Sequence, residues 1–321
     1  TPIVVVVTVN PNPLITNTAL QLLTTVCSGV ALNFVPVSTT DPGTTYSWIT
    51  STSGSTFTGV TATGFGAITD TPVNTGSTIG FVTYTITPQV SGCAGSSVNY
   101  VVTVLPVPTA DGLDATICSG QNAIININSN PTNVSGTTFS WIAIPSANVI
   151  GAISGNGSLI NQNLSLTDFN TGTVTYQITP AANGCNGPVR NIVVTINPLP
   201  TVNAGADYQV CEPITIPLSG NIGGAATSGT WIVVTGSGSI SASAVAGNIV
   251  TATYTVAPAD ISTTVVFRLE TNDPDVAGPC SLASDLLNVQ INRRPTVSLP
   301  PDFVVCEPSN LLLSPISLSG T

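Results

Sequence analysis

The sequence contains no histidine, no lysine and no methionine among its 321 residues. Without histidine or lysine, the Ser/His/Asp and Cys/His arrangements of nucleophilic catalysis and lysine Schiff-base chemistry are excluded. The seven cysteines lie far apart in the chain, unlike the closely spaced ligands of the usual zinc sites. Paired-carboxylate hydrolysis needs two acidic residues on a shared cleft, and the sequence pattern pairs none. We therefore expect that the protein is not an enzyme and has no catalytic, cofactor-binding or metal site.

Charged residues are also scarce, at 6% of the chain, against roughly 25% in an ordinary soluble domain. The four basic residues are all arginines, the acidic residues number 14, and the formal net charge is -10. Nucleic-acid binding needs clustered cations that neutralise phosphates, so no nucleic acid is expected as a partner. No apolar run reaches the roughly 18 residues of a membrane-spanning helix, so the sequence predicts no transmembrane segment in this stretch.

One stretch of the sequence is repeated. Residues 82–88, the Gly-Cys pair at 92–93 and residues 100–106 recur as 174–180, 184–185 and 192–198, so that Tyr84, Cys93 and Thr103 become Tyr176, Cys185 and Thr195. Within each copy, apolar and polar residues alternate as in half-buried strands, a Gly-Cys loop separates two such strands, and proline closes the second. This pattern predicts the last hairpin of a β-sandwich.

The third copy is aligned by its tryptophan. Phe267 follows Trp231 by the same number of residues as Tyr84 follows Trp48, whereas Tyr254 follows Trp231 much too closely. We therefore align residues 265–270 with the tyrosine strands of the other copies.

A repeat of this length predicts roughly one domain per 90 to 95 residues. We expect a closing strand of a preceding module at 1–11, Ig-like modules at 12–106, 107–198 and 199–294, and the start of a further, truncated module at 295–321. The natural polypeptide is then expected to continue in both directions. Short proline-bearing links between modules restrict the backbone, so the predicted fold is all-β, with tandem sandwiches in a linear, semi-rigid rod. Each module would extend the rod by roughly 35 to 45 Å.

The cysteines recur once at the start and once near the end of each module. Their nearly constant separation favours bonds within modules, which pair Cys27 with Cys93, Cys118 with Cys185 and Cys211 with Cys280, and leave Cys306 for a partner beyond residue 321. Such bonds would stabilise each module by about 4 kcal/mol on the chain-entropy model. The rival pairing crosses the links and joins Cys93 with Cys118, Cys185 with Cys211 and Cys280 with Cys306. Either pattern indicates an oxidising, extracellular setting.

One tryptophan per module could serve as a platform for sugar stacking. Its fixed position in each copy favours instead a core residue packed between two sheets. The predicted core aromatic residues are Trp48, Trp141, Trp231, Tyr84, Tyr176 and Phe267.

Two acidic segments could supply oxygen ligands to Ca²⁺: the loop at 272–275, and Asp111 with Asp114. Acidic turns of this length are more often only solvated, and neither segment recurs in every module. The Gly-, Ser- and Asn-rich loops at 51–63 and 151–163 are the candidate binding loops.

The repeated order of motifs is Cys-Ser-Gly, a strand, Ser-Trp-Ile, Tyr-x-Ile-Thr-Pro, Gly-Cys and Val-Val-Thr-Val before proline. This order resembles the PKD-like, Ig-like repeats of very large surface adhesins of gliding and related bacteria, commonly exported by type IX secretion. Typical PKD domains place an Asp/Gly-rich turn after the tryptophan, whereas Trp48, Trp141 and Trp231 are followed here by Ile-Thr, Ile-Ala and Ile-Val. The resemblance implies an extracellular, cell-surface setting and no particular ligand.

Three functions remain open at this point. The chain is expected to be a semi-rigid structural spacer in an adhesin stalk or surface filament, with neighbouring modules or identical subunits as partners. It could instead bind carbohydrate, such as surface polysaccharide, or protein through its loops. In a self-assembling filament, the strand at 3–9 would complete the sheet of the next subunit.

Overall fold

The computed structural model describes residue 3, residues 5–276 and residues 278–297. Most of the predicted truncated module at 295–321, including Cys306, therefore lies outside the described residues. The chain divides into two compact units. The first contains residues 1–115, 120–165 and 172–196, and the second contains residues 116–119, 166–171 and those from 197 onward.

The described residues form 26 strands, which follow from the alternation of buried and exposed side chains in the sequence. Residues 12–106, called repeat 1, contain β1 (Leu23–Cys27), β2 (Thr45–Ser53), β3 (Phe57–Thr58), β4 (Thr63–Phe65), β5 (Val73–Asn74), β6 (Gly80–Val90), β7 (Cys93–Ala94) and β8 (Val98–Leu105).

Residues 107–198, called repeat 2, contain β9 (Ala115–Cys118), β10 (Gln121–Asn126), β11 (Thr138–Pro145), β12 (Val149–Ile150), β13 (Gly155–Asn156), β14 (Leu159–Leu166), β15 (Gly172–Ala182), β16 (Cys185–Asn186) and β17 (Arg190–Asn197).

Residues 199–294, called repeat 3, contain β18 (Pro200–Asn203), β19 (Tyr208–Cys211), β20 (Thr215–Gly224), β21 (Gly229–Thr235), β22 (Ser239–Ile240), β23 (Ala244–Ala246), β24 (Ile249–Thr255), β25 (Thr264–Thr271) and β26 (Ser284–Asn292). A single 3₁₀ turn, Pro258–Asp260, is the one helical element of the described residues. The exact boundaries of the repeats stay a prediction.

Repeat 1 lies in the first unit and is built on a sheet with the strand order β1-β8-β6-β2-β4. The strand β6 shows why the sequence forms this sheet: Val82, Tyr84 and Ile86 are fully buried, and the residues between them point outward. Across the core from them lie Leu32, Phe34 and Ile68, so the apolar side of the sheet is covered by a second layer.

Repeat 2 contributes two sheets to the first unit. In one, β13, β11, β15 and β17 are neighbours in that order and β16 pairs with β15, and the other has the order β10-β14-β12. Both Tyr176 on β15 and Ile160 on β14 are fully buried. Two sheets with buried inner faces make the sandwich that the alternation predicts.

Repeat 3 lies in the second unit and also has two sheets, β18-β20-β24-β22 and β19-β26-β25-β21. Their inner faces form a single apolar cluster that includes Tyr254 of the first sheet and Trp231, Phe267 and Leu269 of the second. The fold of the chain is therefore all-β, in tandem Ig-like sandwiches.

The strand register confirms the alignment of the third copy. Trp48 lies opposite Ile86, and Trp231 lies opposite Leu269. Ile86 follows Tyr84 by two positions, and Leu269 follows Phe267 by two positions, so Phe267 occupies the place of Tyr84. Tyr254 lies on β24, in the other sheet.

The predicted closing strand at 1–11 shows no strand in its described residues. Its apolar side chains are instead open to solvent, with Val5, Val6 and Val7 each at least 77% exposed.

Candidate functional site

The first cysteine of repeat 1 lies where the repeat ends. Strand β1 runs parallel to the closing strand β8, with Cys27 opposite Leu105, and the backbone amide of Ser28 donates to the carbonyl of Leu105 over 2.9 Å. We call this the distal end of the repeat, because the chain leaves the repeat here. The parallel pairing of β1 thus carries Cys27 away from the start of its own repeat.

The second cysteine of repeat 1 lies at the opposite, proximal end. Cys93 pairs with Val90 across a tight turn in which Ser91 and Gly92 have φ values of 46° and 82°. Close to this turn, the backbone of Gly95 lies against the carbonyl group of Pro13, at the start of the repeat.

The predicted bond between Cys27 and Cys93 is wrong because these two ends are too far apart. The eight residues of β8 separate them, and a strand of that length spans about 23 Å at about 3.3 Å per residue. The Cα atoms of a disulfide must lie within about 7 Å of each other.

The structure forms disulfides between consecutive repeats instead. Cys27 of repeat 1 is bonded to Cys185 of repeat 2, and their Cα atoms are 5.8 Å apart. Cys118 of repeat 2 is bonded to Cys280 of repeat 3, and their Cα atoms are 5.5 Å apart. The predicted Cys118–Cys185 and Cys211–Cys280 pairs are therefore also wrong, as is the rival pairing across the links. Among the described cysteines, Cys93 and Cys211 are free.

The second cysteine of repeat 2 has the same position in its repeat as Cys93 has in repeat 1. Cys185 pairs with Ala182 across a turn at Asn183 and Gly184, with φ values of 52° and 82°. Nearby, Gly187 lies against the carbonyl of Pro108 at the start of repeat 2. Repeat 2 begins directly after the distal end of repeat 1, so its proximal hairpin brings Cys185 to Cys27.

In each of the three repeats, an equivalent backbone hydrogen bond follows the distal cysteine. The residue after each cysteine donates its amide to the last residue of the closing strand: Ser28 to Leu105, Ser119 to Asn197 and Glu212 to Asn292, each over 2.9 Å. Cys211 also lies opposite Asn292 in a parallel pair, as Cys27 lies opposite Leu105. Each disulfide thus connects the distal cysteine of one repeat with the second cysteine of the next.

Two carboxylate oxygen atoms of the acidic loop at 272–275 accept hydrogen bonds within the chain, whereas the buried Asp275 Oδ1 has no partner among the described residues. Asp273 Oδ1 accepts from the amide groups of Asp275 and Val276, and Asp275 Oδ2 accepts from the amide of Cys280 and from Asn197 Nδ2. Burial alone would raise the pKa of Asp275, but these hydrogen bonds outweigh it and hold the pKa below its ordinary value.

Asp275 also lies beside the sulfur atoms of Cys118 and Cys280. Those sulfurs form the disulfide, and cysteine binds a metal through its thiolate, so this group is not a cysteine metal site. At the other acidic segment, Asp114 Oδ1 accepts from the amide of Val193, and Asp111 exchanges backbone hydrogen bonds with Asn128. Calcium binding at either segment stays a prediction.

The six predicted core aromatic residues are all buried, and none of the three tryptophans exposes more than 7% of its surface. Trp48 meets Tyr84 edge to face at 5.4 Å between ring centroids. The indole N–H of Trp141 donates to the carbonyl of Ile153, and that of Trp231 donates to the carbonyl of Val250. Buried indoles cannot stack on sugars, so the tryptophans serve packing.

The hydrogen-bond partners of the core tyrosine hydroxyls were not predicted from the sequence. Tyr84 donates to Asp70 Oδ2 over 2.8 Å, and Tyr176 donates to Gln162 Oε1 over 2.8 Å. A polar residue fourteen positions before each of these tyrosines was the available signal. In repeat 3, Tyr254 donates to Asp260 Oδ2 over 2.7 Å. Burial raises the pKa of Tyr254 to about 12, and the Asp260 carboxylate adds to the effect.

The candidate binding loop at 151–163 contributes to an open depression of about 470 Å³ on repeat 2. Its lining includes Ser140, Asn156, Ser158 and Thr179, and no charged residue is among its lining residues. The loop at 51–63 is held to its repeat by Thr61, which bonds Asp70 through its amide and its hydroxyl. Neither loop gathers groups that indicate one ligand class.

Within the described part of the chain, no helix is long and apolar enough to cross a membrane. Among solved structures, the chain is similar to the three-domain immunoglobulin segment I67–I69 of titin in an E-to-A mutated variant, with 13% identity, 88% of this chain and 98% of that chain covered, and a TM-score of 0.44. It is also similar to domains EC22–24 of mouse cadherin-23, with 11% identity, coverage of 89% and 100%, and a TM-score of 0.30. Similarities at these TM-scores say nothing about function.

A comparison with curated proteins found no match. The family model described as the PKD-like domain matches residues 24–108 and again residues 115–200. These two stretches cover most of repeats 1 and 2 and together make up more than half of the sequence. The chain therefore belongs to the PKD-like domain family.

Proposed function

We propose that this chain is an extracellular structural repeat region of a bacterial cell-surface adhesin stalk or surface filament, in which it acts as a semi-rigid spacer. The observation that carries the proposal is that both disulfides of the described residues join one repeat to the next. A bond within a domain stabilises that domain, whereas a bond between domains connects them a second time, in addition to the peptide link.

Two connections limit bending more than one does, because a joint with a single flexible link can rotate about it freely. The links themselves contain Pro106, Pro108, Pro198 and Pro200, and proline restricts the backbone further. Disulfides also persist mainly in oxidising compartments outside the cytosol. Together these features support a spacer that works outside the cell. The absence of histidine and lysine from the sequence supports a role without catalysis.

Small-angle X-ray scattering of the full chain tests the spacer. A compact particle of this length would have a radius of gyration of about 20 Å, whereas three repeats in a row should give a maximum dimension above about 100 Å. The matched control replaces Cys27, Cys118, Cys185 and Cys280 with serine. We expect this control to keep folded repeats but to show a broader distribution of interatomic distances. A compact envelope for the oxidised chain would contradict the proposal.

A second candidate is a filament of many subunits that exchange strands. It is favoured by the exposed apolar side chains of Ile3, Val5, Val6, Val7 and Val9, which are suited to complete the sheet of another molecule. Material from the native source distinguishes the two after reduction and boiling in denaturant. One very long polypeptide supports the spacer, and a ladder that collapses to one small subunit supports strand exchange.

A further inference from the structure

We propose that Cys93 and Cys211 continue the series of disulfides between consecutive repeats, and that each bonds the complementary cysteine of a further PKD-like repeat. Cys93 would take the distal cysteine of a preceding repeat, and Cys211 would take the proximal hairpin cysteine of a following one. This goes beyond the spacer function, since a binding array could be joined in the same way.

The two existing disulfides connect the repeats in the same direction along the chain. Cys27 and Cys118, which are bonded, are the distal cysteines of repeats 1 and 2, and each reaches the second cysteine of the repeat that follows. Cys211 is the distal cysteine of repeat 3, and Cys93 is the proximal cysteine of repeat 1. The free cysteines are therefore one of each kind, in the first and the third repeat along the chain.

The free cysteines have the same backbone conformation and pairing as their bonded counterparts. Cys93 follows a turn with φ values of 46° and 82°, and Cys185 follows one with 52° and 82°. Both are paired across that turn with the third residue before them. Cys211 has the parallel register and the following backbone bond that Cys27 has. The geometry that serves a bond between repeats is thus already present at both free positions.

Accessibility agrees with this assignment. Three of the bonded cysteines, Cys118, Cys185 and Cys280, are at most 2% exposed, and the fourth, Cys27, is partly exposed. Of the free cysteines, Cys211 is exposed and Cys93 is partly exposed. A thiol that forms a bond with another repeat must be reachable before the bond forms, and both free thiols are.

The reaction needs a disulfide oxidant such as oxidised glutathione. The thiolate of Cys211 attacks one sulfur of glutathione disulfide and releases one reduced glutathione as a thiolate. The thiolate of the partner cysteine then attacks the Cys211 sulfur of the mixed disulfide and releases the second. Two protein thiols are oxidised, one glutathione disulfide is reduced to two glutathione molecules, and two protons are released to solvent or to the leaving thiolates.

The full chain itself provides a test, because it carries one cysteine of each kind. In a Cys306→Ser background, which removes the thiol outside the described residues, the Cys93→Ser variant keeps only Cys211 free, and the Cys211→Ser variant keeps only Cys93 free. Both variants are incubated in a glutathione redox buffer, alone and as an equimolar mixture, and separated on non-reducing gels. Peptide mapping must show the Cys27–Cys185 bond in both, which establishes that they fold.

We expect the mixture to form a disulfide-linked dimer whose linked peptide contains Cys93 and Cys211, with at least tenfold less dimer from either variant alone. A triple variant with serine at 93, 211 and 306 should form none. Equal dimer formation by the separate variants, or no dimer in the mixture, would overturn the proposal.

The source of the partner repeat is decided with native material. An unchanged mass on reduction, with Cys93 and Cys211 each linked to another repeat, places the partners on the same polypeptide. A mass that falls on reduction places them on separate copies. Free thiols at both positions, or a bond between Cys211 and Cys306, would overturn the proposal while leaving the scattering test of the spacer unaffected.

Discussion

The Cα atoms of Cys27 and Cys185 lie 5.8 Å apart, although 158 residues separate the two cysteines in the chain. One lies at the end of β1, beside the closing strand of repeat 1, and the other follows the tight turn after β15 in repeat 2. The bond therefore encloses most of both repeats in one covalent loop.

Removal of this bond should destabilise the protein. Closing a loop of this length stabilises the folded state by about 4 to 5 kcal/mol on the chain-entropy model. We expect the Cys27→Ser/Cys185→Ser variant to lose roughly 2 to 5 kcal/mol of unfolding free energy. Guanidinium unfolding measures this. The control Cys93→Ser changes an unbonded cysteine and should shift the value by less than about 0.5 kcal/mol. An equal loss in both variants would show that the bond itself is unimportant.

The disulfide should also prevent this loop from extending when the chain is pulled from its ends. In a Cys118→Ser/Cys280→Ser variant stretched from its ends, the Cys27–Cys185 bond keeps its 158-residue loop from extending. Reduction should release about 550 Å of contour length, at about 3.5 Å per residue. Single-molecule force spectroscopy with and without dithiothreitol measures the difference. A variant without any of the four bonded cysteines should respond identically in both conditions, and the same response from the bonded protein would contradict the prediction.

Gly155 leaves room for the indole of Trp141, which it faces across the β11–β13 pair. A Cβ atom at Gly155 would lie 2.8 Å from Cζ2 of Trp141, well inside van der Waals contact. We expect Gly155→Ala to lower the unfolding free energy by about 1 to 3 kcal/mol through overpacking. Gly43→Ala is the matched control, because the nearest atom to its Cβ would be the Thr40 carbonyl oxygen at 3.5 Å. Similar thermal midpoints for the two variants would show that the tryptophan can move aside.

The buried Asp260 should make repeat 3 sensitive to acid. Its Oδ1 accepts from the amide of Ser237 over 2.7 Å, and its Oδ2 accepts from the hydroxyl of Tyr254 and the amide of Ala257. Burial alone would raise the pKa of Asp260, but these bonds outweigh it and the pKa lies below its ordinary value.

A lowered pKa in the folded state means that the contribution of Asp260 is complete above the unfolded-state value of about 3.9 and is lost as the pH falls through the folded value. Urea midpoints between pH 7 and pH 2.5 should therefore fall more steeply for the wild type than for Asp260→Asn. The variant should already be about 1 to 3 kcal/mol less stable at pH 7, because the amide cannot replace every accepted bond. Tyr254→Phe should show an intermediate slope, and parallel curves for all three proteins would contradict the assignment.

Local patterns were sufficient for the strands and for their alignment. The alternation in residues 82–86 predicts which side chains face the core, and Tyr84 is fully buried as a result. The position of Phe267 relative to Trp231 identified the equivalent strand of repeat 3, because strand spacing is conserved between copies with the same pairing. The tyrosine partners were not found, because no single spacing gives all of them. Asp70 and Gln162 lie fourteen positions before their tyrosines, whereas Asp260 lies six positions after Tyr254.

The sequence by itself determined the all-β fold, the repeat, the apolar faces of the strands and the fact that each repeat carries two cysteines. Period-two alternation shows which face of a strand is buried, and it contains no information about which end of a sandwich a residue occupies. Only the tertiary structure decided that the parallel pairing of β1 with β8 takes Cys27 to the distal end, while the β6–β7 turn keeps Cys93 at the proximal end. A disulfide forms only between residues within about 7 Å, so this separation directs the bonds from one repeat to the next.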